Sequence, residues 1–311
     1  MFTIIQKNWN LCDWFAKYIA NVVGAGVHDS PQITIIFPGR LGRRPLQIKD
    51  RIIHTNNNLE RRNNMKALIT GASSGIGKEM AIYLSQQGID VVLLAKDRNK
   101  LLEVQKQIEG KSQIICTDLS DAQNCIDLYK KVGDVDILIN NAGFGTTGSF
   151  TETDYLTELN MISTNICAVH TLTKLYLHEM KKKNDGYILN VASIAGFMPG
   201  PKMATYHATK AYVLNFTQSI YEELNQEGYD INISALCPGP IKTPFIEKAN
   251  VKFKTKLMTP EYVARYAIDK MFEGKYMIIP GANNKIIRFL SKIVPDKLIG
   301  KIVYKMEEEK N

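Results

Sequence analysis

The segment Thr70-Gly71-Ala72-Ser73-Ser74-Gly75-Ile76-Gly77 constrains this chain more than any other. It follows a short apolar run, Ala67-Leu68-Ile69, and leads into the helix-like pattern Met80-Ala81-Ile82-Tyr83-Leu84. Strand, glycine-rich turn and helix, in that order, present free backbone N–H groups and a helix dipole to a pyrophosphate. The spacing is G-x-x-x-G-x-G rather than the G-x-G-x-x-G of most dinucleotide folds. An ordinary tight βα turn could read the same way, so the surrounding chain has to decide.

From Met65 onward, strand-like and helix-like patterns alternate. Strands are expected at 66–70, 90–95, 113–117, 135–140, 186–191, 231–237 and 276–280. Each is short and rich in Val, Ile and Leu, as strands buried on both faces must be. Amphipathic stretches at 75–88, 98–109, 120–132, 153–183, 204–227 and 259–273 separate them, and Gly88 and Gly228 stand where helices would end. The alternation predicts an α/β fold: one doubly wound, seven-stranded parallel sheet with helices on both faces. Loops after the strand C-termini then share the edge where ligands bind.

Composition narrows the class. No run of eighteen uncharged apolar residues occurs, so no membrane-spanning helix is expected. The five cysteines are scattered without C-x-x-C, which suits a reducing cytoplasm and offers no zinc site. The five histidines form no H-x-x-x-H pair, so metal-free chemistry is expected. The net charge is +8, but residues 1–64 carry nine Lys/Arg against four Asp/Glu. The excess lies largely outside the motif-bearing part, and no nucleic-acid partner is expected. Residues 1–64 also lack a sustained period, and Glu60-Arg61-Arg62 can be encoded by a purine-rich ribosome-binding sequence shortly before Met65. The expected organisation is an extension, 1–64, disordered or a translated leader with Met65 as the true start; a catalytic domain, 65–281; and a tail, 282–311.

Several features fall at strand ends. Asp118-Leu119 follows the third strand, Asn140-Asn141-Ala142-Gly143 the fourth and Ser193 the fifth. Tyr206-His207-Ala208-Thr209-Lys210 lies thirteen residues past Ser193, and its i, i+4 spacing puts Tyr206 and Lys210 on one helix face. A phenol is a poor acid at neutral pH, but a neighbouring ammonium lowers its pKa. Lys210 could do this for Tyr206. Tyr206 would then give a proton to a carbonyl oxygen as hydride reaches its carbon, and Ser193 would hold the same oxygen.

With Thr-Gly-x-x-x-Gly-x-Gly, Asn-Asn-Ala-Gly, Asn165, Ser193, Tyr-x-x-x-Lys and Pro238-Gly239, residues 65–281 resemble the short-chain dehydrogenases/reductases. The resemblance implies a single Rossmann domain and catalytic residues Asn165, Ser193, Tyr206 and Lys210, with Asn165 ordering a water that links Lys210 to solvent. It implies cofactor contacts from Gly71, Ser73, Ser74, Gly75, Ile76 and Gly77. Asp118 and Leu119 would meet the adenine, and Asn141, Ala142 and Gly143 the adenosine side, a motif that the family also uses to support the central sheet. Pro238, Gly239, Ile241 and Thr243 would lie beside the nicotinamide, with Tyr206 and Lys210 on its ribose. The second strand ends in Ala95 rather than an acid, and Lys96 follows. NADP(H) is therefore expected before NAD(H), with Lys96 and Arg98 pairing the 2′-phosphate.

The expected reaction is hydride transfer between NADPH and a small carbonyl or alcohol substrate, in a homodimer or tetramer built on the two long helices. Residues 244–258 would form a substrate lid, and Phe245, Ile246, Val251 and Phe253, with Phe144, Ile194, Phe197 and Met198, give the pocket an apolar character. The tail reads as two basic amphipathic helices broken at Pro295, expected to dock on the core or on a partner subunit in preference to a membrane surface. The alternatives are an NADP(H)-binding regulator without turnover and a membrane-surface reductase of lipidic ketones.

Overall fold

The computed structural model describes residues 64–243 and 257–308, all within the compact unit His54–Asn311. The expectations for residues 1–63 and for Phe245, Ile246, Val251 and Phe253 of the lid lie outside the described residues. Seven strands run β1 (Lys66–Thr70), β2 (Asp90–Ala95), β3 (Ser112–Cys116), β4 (Ile137–Asn140), β5 (Gly186–Val191), β6 (Ile231–Leu236) and β7 (Met277–Ile278). They form one sheet in the order β3-β2-β1-β4-β5-β6-β7, every pair parallel. The order reverses between β1 and β4, so a crevice opens at the C-terminal ends of those two strands.

The apolar runs are continuous because both faces of each strand are covered. Ala67, Ile69, Val91, Leu93, Ile137 and Ile139 pack with Met80, Leu84, Ala264 and Ile268 on one side. Leu68, Val92, Leu94, Leu138 and Ile188 pack with Cys125, Leu128, Leu172 and Tyr176 on the other. The helices of the first layer are α1 (Gly75–Ser85), α2 (Arg98–Gln105) and α7 (Pro260–Phe272); those of the second include α3 (Ala122–Val132), α5 (Val169–Lys183) and α6 (Ala204–Glu227). Gly228 closes α6 in the left-handed conformation, φ 76°.

Two elements differ from the sequence reading. The single helix expected over 153–183 is α4 (Tyr155–Ile162), a π-helical turn (Ser163–Ala168) and then α5. The strand expected over 276–280 keeps only Met277 and Ile278 in the sheet, since Pro280 has no N–H for a ladder. The tail forms α8 (Ala282–Leu290) and α9 (Asp296–Glu308), with Pro295 between them.

Candidate active site

The glycine turn is held by its neighbour across the crevice. The Asn141 amide donates to Thr70 O at 2.9 Å and Gly71 O at 3.2 Å. The Asn141 and Ala142 N–H groups both donate to Thr70 Oγ1 at 2.9 Å. A Cβ at Gly77 would collide with Asn141 Nδ2 and stand 2.5 Å from Gly71 O. Gly71 needs its freedom for a φ of 66° as well, and Gly75 lies against Thr243. Asn141 thus clamps the turn to β4, a structural use of a residue expected on the adenosine side. Ser74 enters α1 in extended conformation with no side-chain bond to the helix. The close backbone approach and the uncapped first turn fit a pyrophosphate.

At the ends of β2 and β3, Lys96 Nζ lies 2.9 Å from Asp118 Oδ2. Desolvation pushes the Asp118 carboxyl up, but the Ser120 N–H and the Lys96 ammonium outweigh it and hold it below the usual range. The two residues expected on the phosphate and on the adenine are therefore bonded to each other. Asp97 is turned away: it caps α2 by accepting from Lys100 N at 3.1 Å and pairs with Lys100 Nζ at 3.4 Å. Lys100 N holds its carboxyl below the usual range. Arg98 opens α2 on the surface. Leu119 turns its side chain into the core.

The four candidate catalytic residues converge on the end of β5. Ser193 Oγ accepts from Ala195 N at 3.1 Å, and the Ser193 and Tyr206 side chains are hydrogen-bonded. Tyr206 lines a small cavity with Thr146, Phe150 and Met203. Lys210 is 5% exposed; its Nζ donates to Val191 O at 2.8 Å and stands 5.9 Å from the Tyr206 ring centroid. Asn165 sits in the π-helical turn, fully buried. Its amide brackets the Phe144 backbone, accepting from N at 3.1 Å and donating to O at 2.9 Å, and it donates to Thr209 Oγ1 at 3.1 Å. Gly143 lies between Asn165 and Lys210: a Cβ there would meet Asn165 Oδ1 at 2.8 Å and Lys210 Nζ at 3.4 Å.

The electrostatics depart from the sequence expectation. Burial lowers the Lys210 ammonium to about 8, and burial raises the Tyr206 phenol to about 12 against the opposing hydrogen bond from Ser193. Lys210 does not lower the phenol as expected, because desolvation dominates both groups and the ammonium is directed at Val191 O.

The Pro238–Thr243 loop carries the remaining positions. Ile241 pairs with Met258, and Lys242 N donates to Met258 O at 3.0 Å, so both ends of the intervening segment are anchored together. Pro238 O accepts from Ile194 N at 3.0 Å, tying this loop to the one after Ser193. Gly239 faces Asn284 of α8, where a Cβ would stand 2.5 Å from Asn284 Oδ1. Of the residues expected to line an apolar pocket, Phe197 is buried in the core and Ile194 and Met198 pack beside it.

Beneath the site lies a buried polar layer of which sequence reasoning marked only Asn140, in the Asn-Asn-Ala-Gly motif expected to support the sheet. Asn140 Nδ2 donates to Asn190 Oδ1 at 2.9 Å and Thr173 Oγ1 at 3.0 Å, and Asn190 Nδ2 donates to Thr217 Oγ1 at 3.0 Å. This chain of amides stitches β4, β5, α5 and α6 together directly under the catalytic loop. For Asn190 the only sequence signal was the polar interruption of an apolar run.

A doubly wound parallel sheet with a glycine turn at its switch point, and a buried lysine one helical turn from a tyrosine, defines a nicotinamide-dependent oxidoreductase. The family model described as short chain dehydrogenase matches residues 65–253, and the chain belongs to that family, whose members act on CH–OH and carbonyl groups. An uncharacterized oxidoreductase of Staphylococcus saprophyticus is 34% identical over 210 residues, covering 65% of this chain and 88% of that protein. The very-long-chain 3-oxoacyl-CoA reductase-B of Danio rerio is 32% identical over 191 residues, 57% of this chain and 60% of that protein. Among solved structures, a short-chain dehydrogenase from Sphingobium yanoikuyae in complex with NADPH superposes with a TM-score of 0.65 at 26% identity, covering 74% of this chain and 96% of its own.

Proposed function

We propose that this protein is an NADPH-preferring carbonyl reductase, or the equivalent alcohol dehydrogenase, acting on a small, predominantly apolar substrate. The observation that carries the reading is the convergence of Ser193, Tyr206, Lys210 and Asn165 at the end of β5, beside the glycine turn. A nicotinamide held by the glycine turn would supply the hydride to the substrate carbon, or take it in the reverse direction. Ser193 Oγ holds the substrate oxygen. Tyr206 donates its phenolic proton to that oxygen, and the Lys210 ammonium favours the resulting phenolate. Asn165, fastened to Phe144 and Thr209, orients the helix that carries Lys210 and Tyr206 and gives the ammonium its path to solvent.

Preference for NADPH is supported by Ala95 in place of an acid, by exposed Lys96 and Arg98, and by the turning of Asp97 into the α2 cap. A cytoplasmic catalytic domain over residues 65–281 is part of the same reading, supported by the free thiols Cys116, Cys125, Cys167 and Cys237. So is a homo-oligomer through α4–α5 and α6, supported by the exposed Tyr155, Leu156 and Leu159 on α4. The test is oxidation of NADPH and NADH, followed at the nicotinamide absorbance, with aldehydes, ketones and 3-oxoacyl thioesters. Turnover with NADPH should exceed that with NADH, and Tyr206→Phe should abolish turnover while NADPH binding stays within about threefold. Wild-type turnover by Tyr206→Phe would refute the mechanism, and tight NADPH binding without turnover on any substrate would favour a regulator.

A further inference from the structure

Helices α8 and α9 meet the core through Asn284, Arg288 and Ile299 and leave other apolar side chains exposed. On α8, Asn284 is buried and donates to Pro280 O at 2.7 Å, and the half-buried Arg288 guanidinium lies 4.6 Å from the Phe197 ring centroid. Ile286, Phe289 and Leu290 share one face of α8 at the i, i+3, i+4 spacing and are 56%, 60% and 47% exposed, and Ile293, in the turn that follows, is 58% exposed. On α9, Ile299 is buried while Leu298 and Ile302 are each 50% exposed. The exposed cations Lys285, Lys292, Lys297, Lys301 and Lys305 accompany these side chains, and Asp296 is the only acid between residues 282 and 305.

We propose that this face docks on an anionic lipid surface, with both helices lying in the interface plane. Exposed apolar side chains beside a concentrated positive charge are the chemistry that acidic headgroups and acyl chains recognise together. A second copy of the chain is the poorer occupant, since a two-fold contact would set the same cations against themselves. No helix among the described residues is long and apolar enough to cross a membrane, so the contact is peripheral. The placement has a consequence for access. α8 packs on the turn Ile194–Phe197 that follows Ser193, Gly300 of α9 lies beside Pro199, and Lys202 Nζ stands 5.5 Å from the Tyr304 ring centroid. Docking therefore brings the wall of the candidate cleft to the lipid surface.

The test is co-sedimentation of the full chain with phosphatidylcholine vesicles, with and without about one-third phosphatidylglycerol. The chain should pellet with the anionic vesicles, weakly with phosphatidylcholine alone, and less as salt is raised. Phe289→Glu with Ile293→Glu should weaken binding about a hundredfold or more. Lys292→Gln with Lys297→Gln should weaken it about thirtyfold. All four positions are exposed, so the fold should tolerate the changes. No pelleting with anionic vesicles, or pelleting that either pair leaves unchanged, overturns the proposal. In the absence of pelleting, a light-scattering mass that falls on Phe289→Glu with Ile293→Glu would assign the face to a second copy. Tyr206→Phe should pellet like the native chain, which separates this proposal from the catalytic one.

Discussion

Replacing Lys210 by Met tests the electrostatics of the site without knowledge of the substrate. Lys210 is 5% exposed and bonded to Val191 O, and burial lowers its pKa from the ordinary 10.5 to about 8. The unfolded chain keeps the ordinary value. Between the two values the unfolded state holds more protons on this group than the folded state, so stability rises with pH across that window. At about 1.36 kcal/mol per pH unit, the charged Lys210 costs the fold about 3 kcal/mol below pH 8, and about 2 kcal/mol of that is recovered by about pH 9.5. The assay is urea unfolding of the native chain and Lys210→Met at several values between about pH 7 and about pH 9.5. Other titrating groups cancel in the difference between the two chains. The native chain should gain about 2 kcal/mol on the variant over this range. A difference that stays flat, or that falls with rising pH, refutes the claim that the ammonium is held desolvated.

Three further outcomes are expected. Lys96→Ala should weaken NADPH binding about tenfold to a hundredfold and leave NADH within about twofold, as titration of each cofactor will show; its pair with Asp118 is 62% and 43% exposed, so melting should move little. Gly77→Ala pushes a methyl group into Asn141 Nδ2 and Gly71 O, and should cost about 1–3 kcal/mol in denaturant unfolding together with a loss of cofactor affinity. Asn190→Ala strips the buried Asn140 amide and Thr217 hydroxyl of a partner and should cost about 3 kcal/mol, with NADPH affinity changed far less than by Gly77→Ala.

What could be read from the sequence was whatever short-range geometry forces. The glycine turn is legible because Gly71 and Gly75 take positive φ and a Cβ at Gly77 would collide with Gly71 O, six residues back. Tyr206 and Lys210 are legible because four residues make one helical turn. The sheet is legible because strands covered on both faces cannot alternate. The π-helical turn at Ser163–Ala168 is invisible to periodicity, since α4 and α5 on either side keep the helical pattern; yet it is the element that carries Asn165 to the Phe144 backbone. The Lys96–Asp118 pair needs β2 and β3 side by side, twenty-two residues apart in the chain. The tail pattern told which side chains share a face, but the way that face turns depends on Asn284 and Arg288 finding partners in the core.

The opposed shifts of Tyr206 and Lys210 also bear on the pH dependence of turnover. With the phenol raised to about 12, Tyr206 holds its proton throughout the neutral range. With the ammonium lowered to about 8, Lys210 remains mostly charged at neutral pH and loses its charge as the pH climbs past that value. Below about pH 8, then, a protonated phenol stands one helical turn from a cation that would favour the phenolate left once its proton passes to a substrate oxygen. Above it the cation fades while the phenol is still protonated, and the free energy needed to form phenolate rises. Oxidation of an alcohol needs a proton acceptor at the start and gains nothing from that loss, because Tyr206 has not yet ionised. On the proposed reading, the reductive rate should decline on the alkaline side with an apparent pKa near that of Lys210.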